Sequence, residues 1–451
     1  MSQSQQENAG ERVYAELIDR LGEAQPQPRL GPVRRVVELL GDPQNSYPVI
    51  LIAGTNGKTS TSRITESLLR SLGLRTGLFT SPHLERFNER IVIDGQPISD
   101  EALAFVWDDI APYLALVDEE LVAEGEPALT FFEAMTVLAY ASFADAPVEV
   151  AVVEVGMGGE WDSTNIADPA VSVFTPIDLD HTERLGNTVA EIATTKSGIM
   201  RAGGDAVTAK QHPEVEAVLE AQAHALQIPL LREGVEFAID HSVMGVGGQV
   251  VTLRGSSGTR YDSVMLPLYG EHQAQNAAVA LAAVEAFTGK RVLAEEVLEE
   301  GYGQVTIPGR LQLVGATPPV YIDAAHNPHG ARALVSAVKS FFAFDEVALV
   351  FGSLNDKDSV GVIAELSKIS NTIFVTQSSS NRSRATDDLA QIVRLALPEA
   401  EIIPEDNLGD AIEQARGWAE QGESRGVIVA GSIVLIGEVM TFAREGGWSL
   451  L

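Results

Sequence analysis

The run Val49-Ile50-Leu51-Ile52-Ala53-Gly54-Thr55-Asn56-Gly57-Lys58-Thr59-Ser60 holds residue types that grip phosphate. Glycines at 54 and 57 let backbone N–H groups approach an anion, and a helix opening at Lys58 adds its positive end. Lys58 would meet phosphate oxygens, and Thr59 could reach a magnesium ion. The usual P-loop spacing, G-x-x-x-x-G-K-[ST], would set its first glycine at position 52, where this chain has Ile52. Two readings stand for the segment by itself: a phosphate site of altered spacing, or a strand–turn–helix without a ligand.

Further segments carry related chemistry, each with a plainer alternative. "FTSPHLERFNERI" (79–91) sets Ser81 just past a strand end, as a second hydroxyl for a metal or as part of a polar loop. "VVEVGMGGEWDSTNI" (152–166) ends an apolar strand in Glu154, a costly place for a carboxylate unless it is metal-bound or paired with Lys or Arg. "PIDLDHTERLG" (176–186) places His181 after another strand, as a metal or base residue or as plain surface. Lys196, among Thr194, Thr195 and Ser197, reads from its neighbours as an ordinary helix-end lysine. Asn276 lies in a helix, where an amide reads an adenine edge or faces solvent. Arg310, in "IPGRLQ", has the planar fork that suits phosphate or an interdomain carboxylate. "DAAHNPHG" puts Asp323 and His326 at a strand end.

The elements that must hold these residues follow from the apolar pattern. Runs such as "PVILIAG", "VEVAVVEVGMGG" and "AVSVFTPIDLDHT" are apolar on both faces and alternate with helical stretches, which predicts buried parallel strands in an α/β fold. Between 235 and 268, "VEFAID", "GQVVTLRG" and "YDSVMLPL" are split by Gly-rich turns and predict a small antiparallel sheet; a helix then ends near Gly289. A second α/β series follows "GYGQVTIPG". The expected architecture is two domains: residues 1–303, a P-loop-type mostly parallel sheet with the small antiparallel sheet, and residues 304–451, Rossmann-like. Two such domains suggest a cleft at their strand ends.

Composition narrows the class. Of 451 residues, 63 are acidic and 31 basic, for a formal charge of -32. Nucleic-acid binding needs a basic patch that this chain lacks, so no nucleic-acid partner is expected. The absence of cysteine excludes disulfides, thiolate metal sites and a Cys nucleophile. The polar start "MSQSQQENAG" lacks a signal-peptide core, and no apolar run approaches the ~20 residues of a membrane span. A soluble cytoplasmic protein without a membrane partner is the expectation.

These pieces, in this order, resemble the Mur-ligase superfamily and, within it, the bifunctional folylpolyglutamate synthase/dihydrofolate synthase family. The matching motifs are "AGTNGKTS", "SPHLERFNERI", "TFFE", "EVGMGGEWDSTN", "LDHTERLG", "KSGI", "PGRLQ", "DAAHNPHG" and "GSIVLIGEV", spread over nearly the whole chain. The resemblance implies that ATP converts a substrate carboxylate into an acyl phosphate, which the amine of L-glutamate then attacks. It implies an ATP site at Gly54, Thr55, Asn56, Gly57, Lys58 and Thr59, joined by Asn276, Arg310, Asp323 and His326. Ser81, Glu154 and His181 become magnesium ligands with a carbamylated Lys196, and Lys196, His181 and Lys58 the catalytic set. Thr130, Phe131, Phe132, Glu133, Trp161, Asp162 and Ser163 match segments that line the folate site. One departure is Glu160, where many bifunctional members carry arginine. The family also implies a monomer.

Two rivals have their own discriminators. A muramyl-peptide ligase shares the loop and the chemistry but carries a further domain before the loop, and only 53 residues precede Gly54. A P-loop ATPase switch would hydrolyse ATP without folate or glutamate.

Overall fold

A computed structural model describes residues 3–20 and 27–448. The first sheet is built from β1 (Val49–Ala53), β2 (Thr76–Phe79), β3 (Ile91–Ile93), β4 (Gln96–Pro97), β5 (Val150–Glu154), β6 (Val171–Phe174), β7 (Asp205–Thr208) and β8 (Leu230–Arg232). Their order is β4-β3-β2-β5-β1-β6-β7-β8. β2 pairs antiparallel with β3, and β3 with β4; every other neighbouring pair is parallel. All five residues of β1 are buried, as an apolar run in mid-sheet requires. Burying each of Ile50, Leu51 and Ile52 contributes about 1.5–3 kcal/mol.

The register levels the strand ends. Ile52 lies opposite Glu154 on one side and Val173 on the other. The chain therefore leaves β1, β5 and β6 along one sheet edge, the edge where open α/β sheets bind ligands. After β1 comes the helix Lys58–Ser71, which buries Ile64, Leu68 and Leu69. The helix Phe131–Asp145 starts in a capping box: Thr130 accepts from the Glu133 N–H, and the Glu133 carboxylate accepts from the Thr130 N–H at 2.7 Å.

A three-stranded antiparallel sheet follows, from β9 (Ala238–Gly245), β10 (Gly248–Arg254) and β11 (Arg260–Leu266) in the order β11-β10-β9. The last sheet has β12 (Gln312–Ala316), β13 (Pro319–Asp323), β14 (Glu346–Phe351), β15 (Thr372–Val375), β16 (Glu401–Pro404) and β17 (Arg425–Ala430). Its order is β12-β13-β17-β14-β15-β16, parallel except for the β12–β13 pair. By packing, the chain forms two units. Of the described residues, one unit holds those up to His241, Val251–Met265 and Gln275–Val305; the other holds Ser242–Val250, Leu266–Ala274 and those from Thr306 onward. The α/β class, the small antiparallel sheet and the second parallel series are as the sequence pattern predicts.

Candidate active site

Within the first unit the 54–59 loop is closed tightly. Gly54 has φ +154, and a Cβ there would fall 1.9 Å from Thr175 Oγ1; Gly57 has φ +88, and its Cβ would fall 2.5 Å from Asn276 Oδ1. Only glycine fits either place. The Thr55 N–H donates to the Pro176 carbonyl at 2.9 Å and its hydroxyl to the Asp178 carbonyl at 2.9 Å, tying the loop to the segment after β6. Lys58 Nζ folds back to the carbonyls of Gly54 and Thr55 at 3.3 and 3.4 Å. The amine thus caps its own loop, which ends at the N-terminus of the Lys58–Ser71 helix. Asn276 is buried against Gly57, on an inward face of its helix.

Glu154 ends β5 with its carboxylate buried. It accepts the Thr59 hydroxyl on both oxygens at 2.9 Å and the Ser81 N–H at 3.3 Å. A carboxylate with hydroxyl-bearing Thr59 and Ser81 around it is the hard oxygen set that magnesium takes, so these residues fit the ion. Among the described residues no group of three or more His, Asp or Glu side chains is gathered for a metal.

Lys196 is where residue-level reading fails. It is buried near the end of the helix Val189–Ser197, not solvated, and its Nζ donates to the Gly54 carbonyl at 2.9 Å. Burial, and then the nearby Lys58 cation, push its amine down to about 7, against the pull of Asp180 and Asp162. The glycine turn after Glu154 makes room for it: a Cβ on Gly159 would meet the Lys196 carbonyl at 2.8 Å. His181 follows β6 at a distance: the strand stops at Phe174, and His181 caps a short helix seven residues later with φ +50 and a side chain 42% exposed. Pro176, Asp178 and Asp180 interrupt the apolar pattern that a longer strand would need.

The residues expected around folate divide in two. Phe132 and Trp161 are partly exposed and pack on the turn after Glu154, against the positions of Gly156 and Gly158. The others are buried and make contacts within the fold. Thr130 and Glu133 form the capping box, and Glu133 also pairs with Arg29 at 3.0 Å. Phe131 carries the Arg90 guanidinium over its ring at 5.2 Å. Asp162 caps the turn at Ser163, accepting from the Met157 and Thr164 N–H groups at 2.8 and 3.0 Å. Glu160, the departure from the family, is exposed and lies against Gly198.

In the second unit Asp323 ends β13 and accepts the N–H groups of Leu311 and Ala325 at 3.0 and 2.9 Å. Burial raises its carboxyl, while Arg310 and those two bonds oppose the rise. His326 Nδ1 lies 2.9 Å from the Ala324 carbonyl. Next to the ends of β17, β14 and β15 is a group that residue-by-residue reading missed. The hydroxyls of Ser432, Thr376, Ser378 and Thr386 and the Nε of Arg384 are buried without a hydrogen-bond partner. Ser432 is the N-cap of the helix Ile433–Glu445, yet its side chain makes no capping bond. The available signal was "AGSIVLIG": a serine after a buried strand, placed to cap, whose idle hydroxyl only packing reveals.

The Mur ligase middle domain model matches residues 52–284, more than half of the chain, and the Mur ligase, glutamate ligase domain model matches 309–433. The chain belongs to the Mur ligase family. Among curated proteins, dihydrofolate synthase/folylpolyglutamate synthase of Mycobacterium tuberculosis is 41% identical over 95% of this chain and 93% of its own length. The protein of the same description from Bacillus subtilis is 33% identical over 92% and 94%. Among solved structures, Mycobacterium tuberculosis folylpolyglutamate synthase complexed with ADP and AMPPCP superposes with a TM-score of 0.92 at 40% identity, covering 97% of this chain and 99% of that one. E. coli FolC in complex with DHPP and ADP gives 0.84 at 29% identity over 96% and 98%.

Proposed function

We propose that this Mur ligase uses ATP to join L-glutamate to a folate-type carboxylate, dihydropteroate, tetrahydrofolate or both, through an acyl phosphate. The observation that carries the reading is the meeting of a glycine-shaped phosphate loop, the strand-end carboxylate Glu154 and the buried Lys196 amine at one sheet edge. A carboxylate is a poor electrophile, and phosphorylation supplies its leaving group. Phosphoryl transfer depends mainly on positioning and on neutralising charge. Loop N–H groups and Lys58 would hold the phosphates of ATP, with Asn276 beside the loop and Arg310, Asp323 and His326 as contacts from residues 304–451. Magnesium, held by Glu154, Ser81 and His181 with Lys196, would neutralise the phosphate oxygens.

Carbamylation of Lys196 suits its surroundings. A near-neutral amine can attack carbon dioxide and lose a proton, giving a carbamate. That exchanges a cation repelled by Lys58 for an anion that attracts it. Phe132 and Trp161 offer aromatic faces to a pterin. The idle donors around Ser432 would take the carboxylates of glutamate, since hydroxyls, a guanidinium and a helix N-terminus all favour an oxyanion. The protein acts as a cytoplasmic monomer on small molecules alone; no described helix is long and apolar enough to cross a membrane.

The test is phosphate release with ATP and glutamate in the presence of dihydropteroate or tetrahydrofolate. Turnover should need all three reactants, and the two acids compared side by side define the substrate. Substantial ATP hydrolysis without acid and glutamate would reject ligation.

A further inference from the structure

Covered guanidinium groups in this protein are hydrogen-bonded almost throughout. Arg29 donates to Glu133 and to the carbonyls of Pro127 and Ala128, Arg90 to His83, and Arg384 to the Asn355 carbonyl. Among the described residues that are not exposed, two arginines donate no hydrogen bond and form no ion pair: Arg310 and Arg63. Arg310 already belongs to the proposed ATP set.

Arg63 sits on the Lys58–Ser71 helix, one turn beyond Thr59. It is mostly covered, and burial holds it below the usual guanidinium range. Three carboxylates, Glu89, Glu154 and Glu66, favour its charge from beyond ion-pair distance. Each is engaged elsewhere. Glu89 accepts the N–H groups of Leu84, Glu85 and Arg86 at 2.8, 3.0 and 2.7 Å. Glu154 accepts from Thr59 and Ser81, and Glu66 from the Thr76 hydroxyl at 2.5 Å and from Arg70 at 3.2 Å. Arg63 thus has Coulombic company but no protein hydrogen bond for its five N–H donors, an unfavourable state for a largely covered cation. Its planar fork suits a carboxylate held by two parallel bonds.

We propose that Arg63 receives the carboxylate of the acyl substrate and holds it beside Glu154 for activation. This rests on the ligase reading above. The phosphates of ATP already have donors at the start of this helix, in the loop N–H groups and Lys58. Arg63 stands about 6 Å further along the axis than Thr59, on the face that Thr59 turns to Glu154.

The experiment uses the full chain with Arg63→Gln and Arg63→Lys. It reads KM for dihydropteroate, ATP and glutamate, and Kd for dihydropteroate and for its analogue lacking the carboxylate. Arg63→Gln should raise both KM and Kd for dihydropteroate about tenfold or more, the weight of one charge-assisted contact. The carboxylate-free analogue should bind both proteins alike, KM for ATP and glutamate should stay as in the wild type, and Arg63→Lys should recover part of the loss. An unchanged KM for dihydropteroate, a rise confined to ATP or glutamate, or an equal loss for acid and analogue would overturn the assignment. Should Arg63→Gln not fold, Arg63→Lys, with its melting temperature recorded, carries the same comparison. Wild-type protein that neither binds nor turns over dihydropteroate or tetrahydrofolate would instead sink the ligase reading, and this assignment with it.

Discussion

Lys196 differs from the other lysines because its amine is buried, bonded to the Gly54 carbonyl and close to Lys58. Lys196→Ala should lower ligation by roughly 10²-fold or more, in line with removal of a preorganised charged group from an active site, while the circular-dichroism spectrum stays unchanged. A variant with near-wild-type turnover would refute the role. A pH effect follows from the same burial. Unfolded, the amine titrates near its ordinary 10.5; folded, near about 7. Between those values the unfolded chain binds the extra proton, so stability rises as pH climbs from about 7 to 10.5. In bicarbonate-free buffer, Lys196→Met should flatten that slope in denaturant titrations, and an identical slope in both proteins would be evidence against burial of the amine. None of this was readable from "TTKSGI", because burial depends on what packs over a residue. The family resemblance pointed to Lys196; local chemistry pointed away from it.

The phosphate loop shows how far an element can be read from sequence. The apolar run before it and the glycines within it indicated strand, turn and helix, and β1 and the helix Lys58–Ser71 lie there. What the pattern lacked was the neighbour of each glycine. Gly57→Ala forces a left-handed backbone on a residue with a Cβ and drives that Cβ into Asn276. It should cost about 1–3 kcal/mol of stability and raise KM for ATP, as denaturant melts and initial rates will record; a neutral effect on both would mean the loop is open. His181 illustrates the opposite case. Its seven-residue offset from β6 is not legible in the pattern, because Ile177 and Leu179 extend the apolar look of a segment whose backbone has already left the strand. Thr130 and Glu133 carry a capping-box spacing that marks a helix start, so their structural task was visible in "TFFE" even as the resemblance assigned them to folate.

For the whole molecule, nine motifs in one order carried more than any one of them, since each short segment has a structural explanation of its own. The division of labour can be tested by which substrate each change touches. Arg310→Ala should raise KM for ATP about tenfold and leave KM for the folate substrate alone; an effect on folate only would contradict its place in the ATP set. Ser432→Ala should raise KM for glutamate by a few-fold to about tenfold with ATP unaffected, and an unaltered glutamate KM would leave the idle hydroxyls near β14, β15 and β17 without that role. The claim on which all of these depend is that ATP activates a carboxylate. Dihydropteroate labelled with oxygen-18 in its carboxylate, incubated with ATP and glutamate, tests it directly by mass spectrometry of the phosphate released. Acyl-phosphate chemistry places one labelled oxygen in that phosphate for each amide formed; phosphate free of label, with amide still produced, would contradict it.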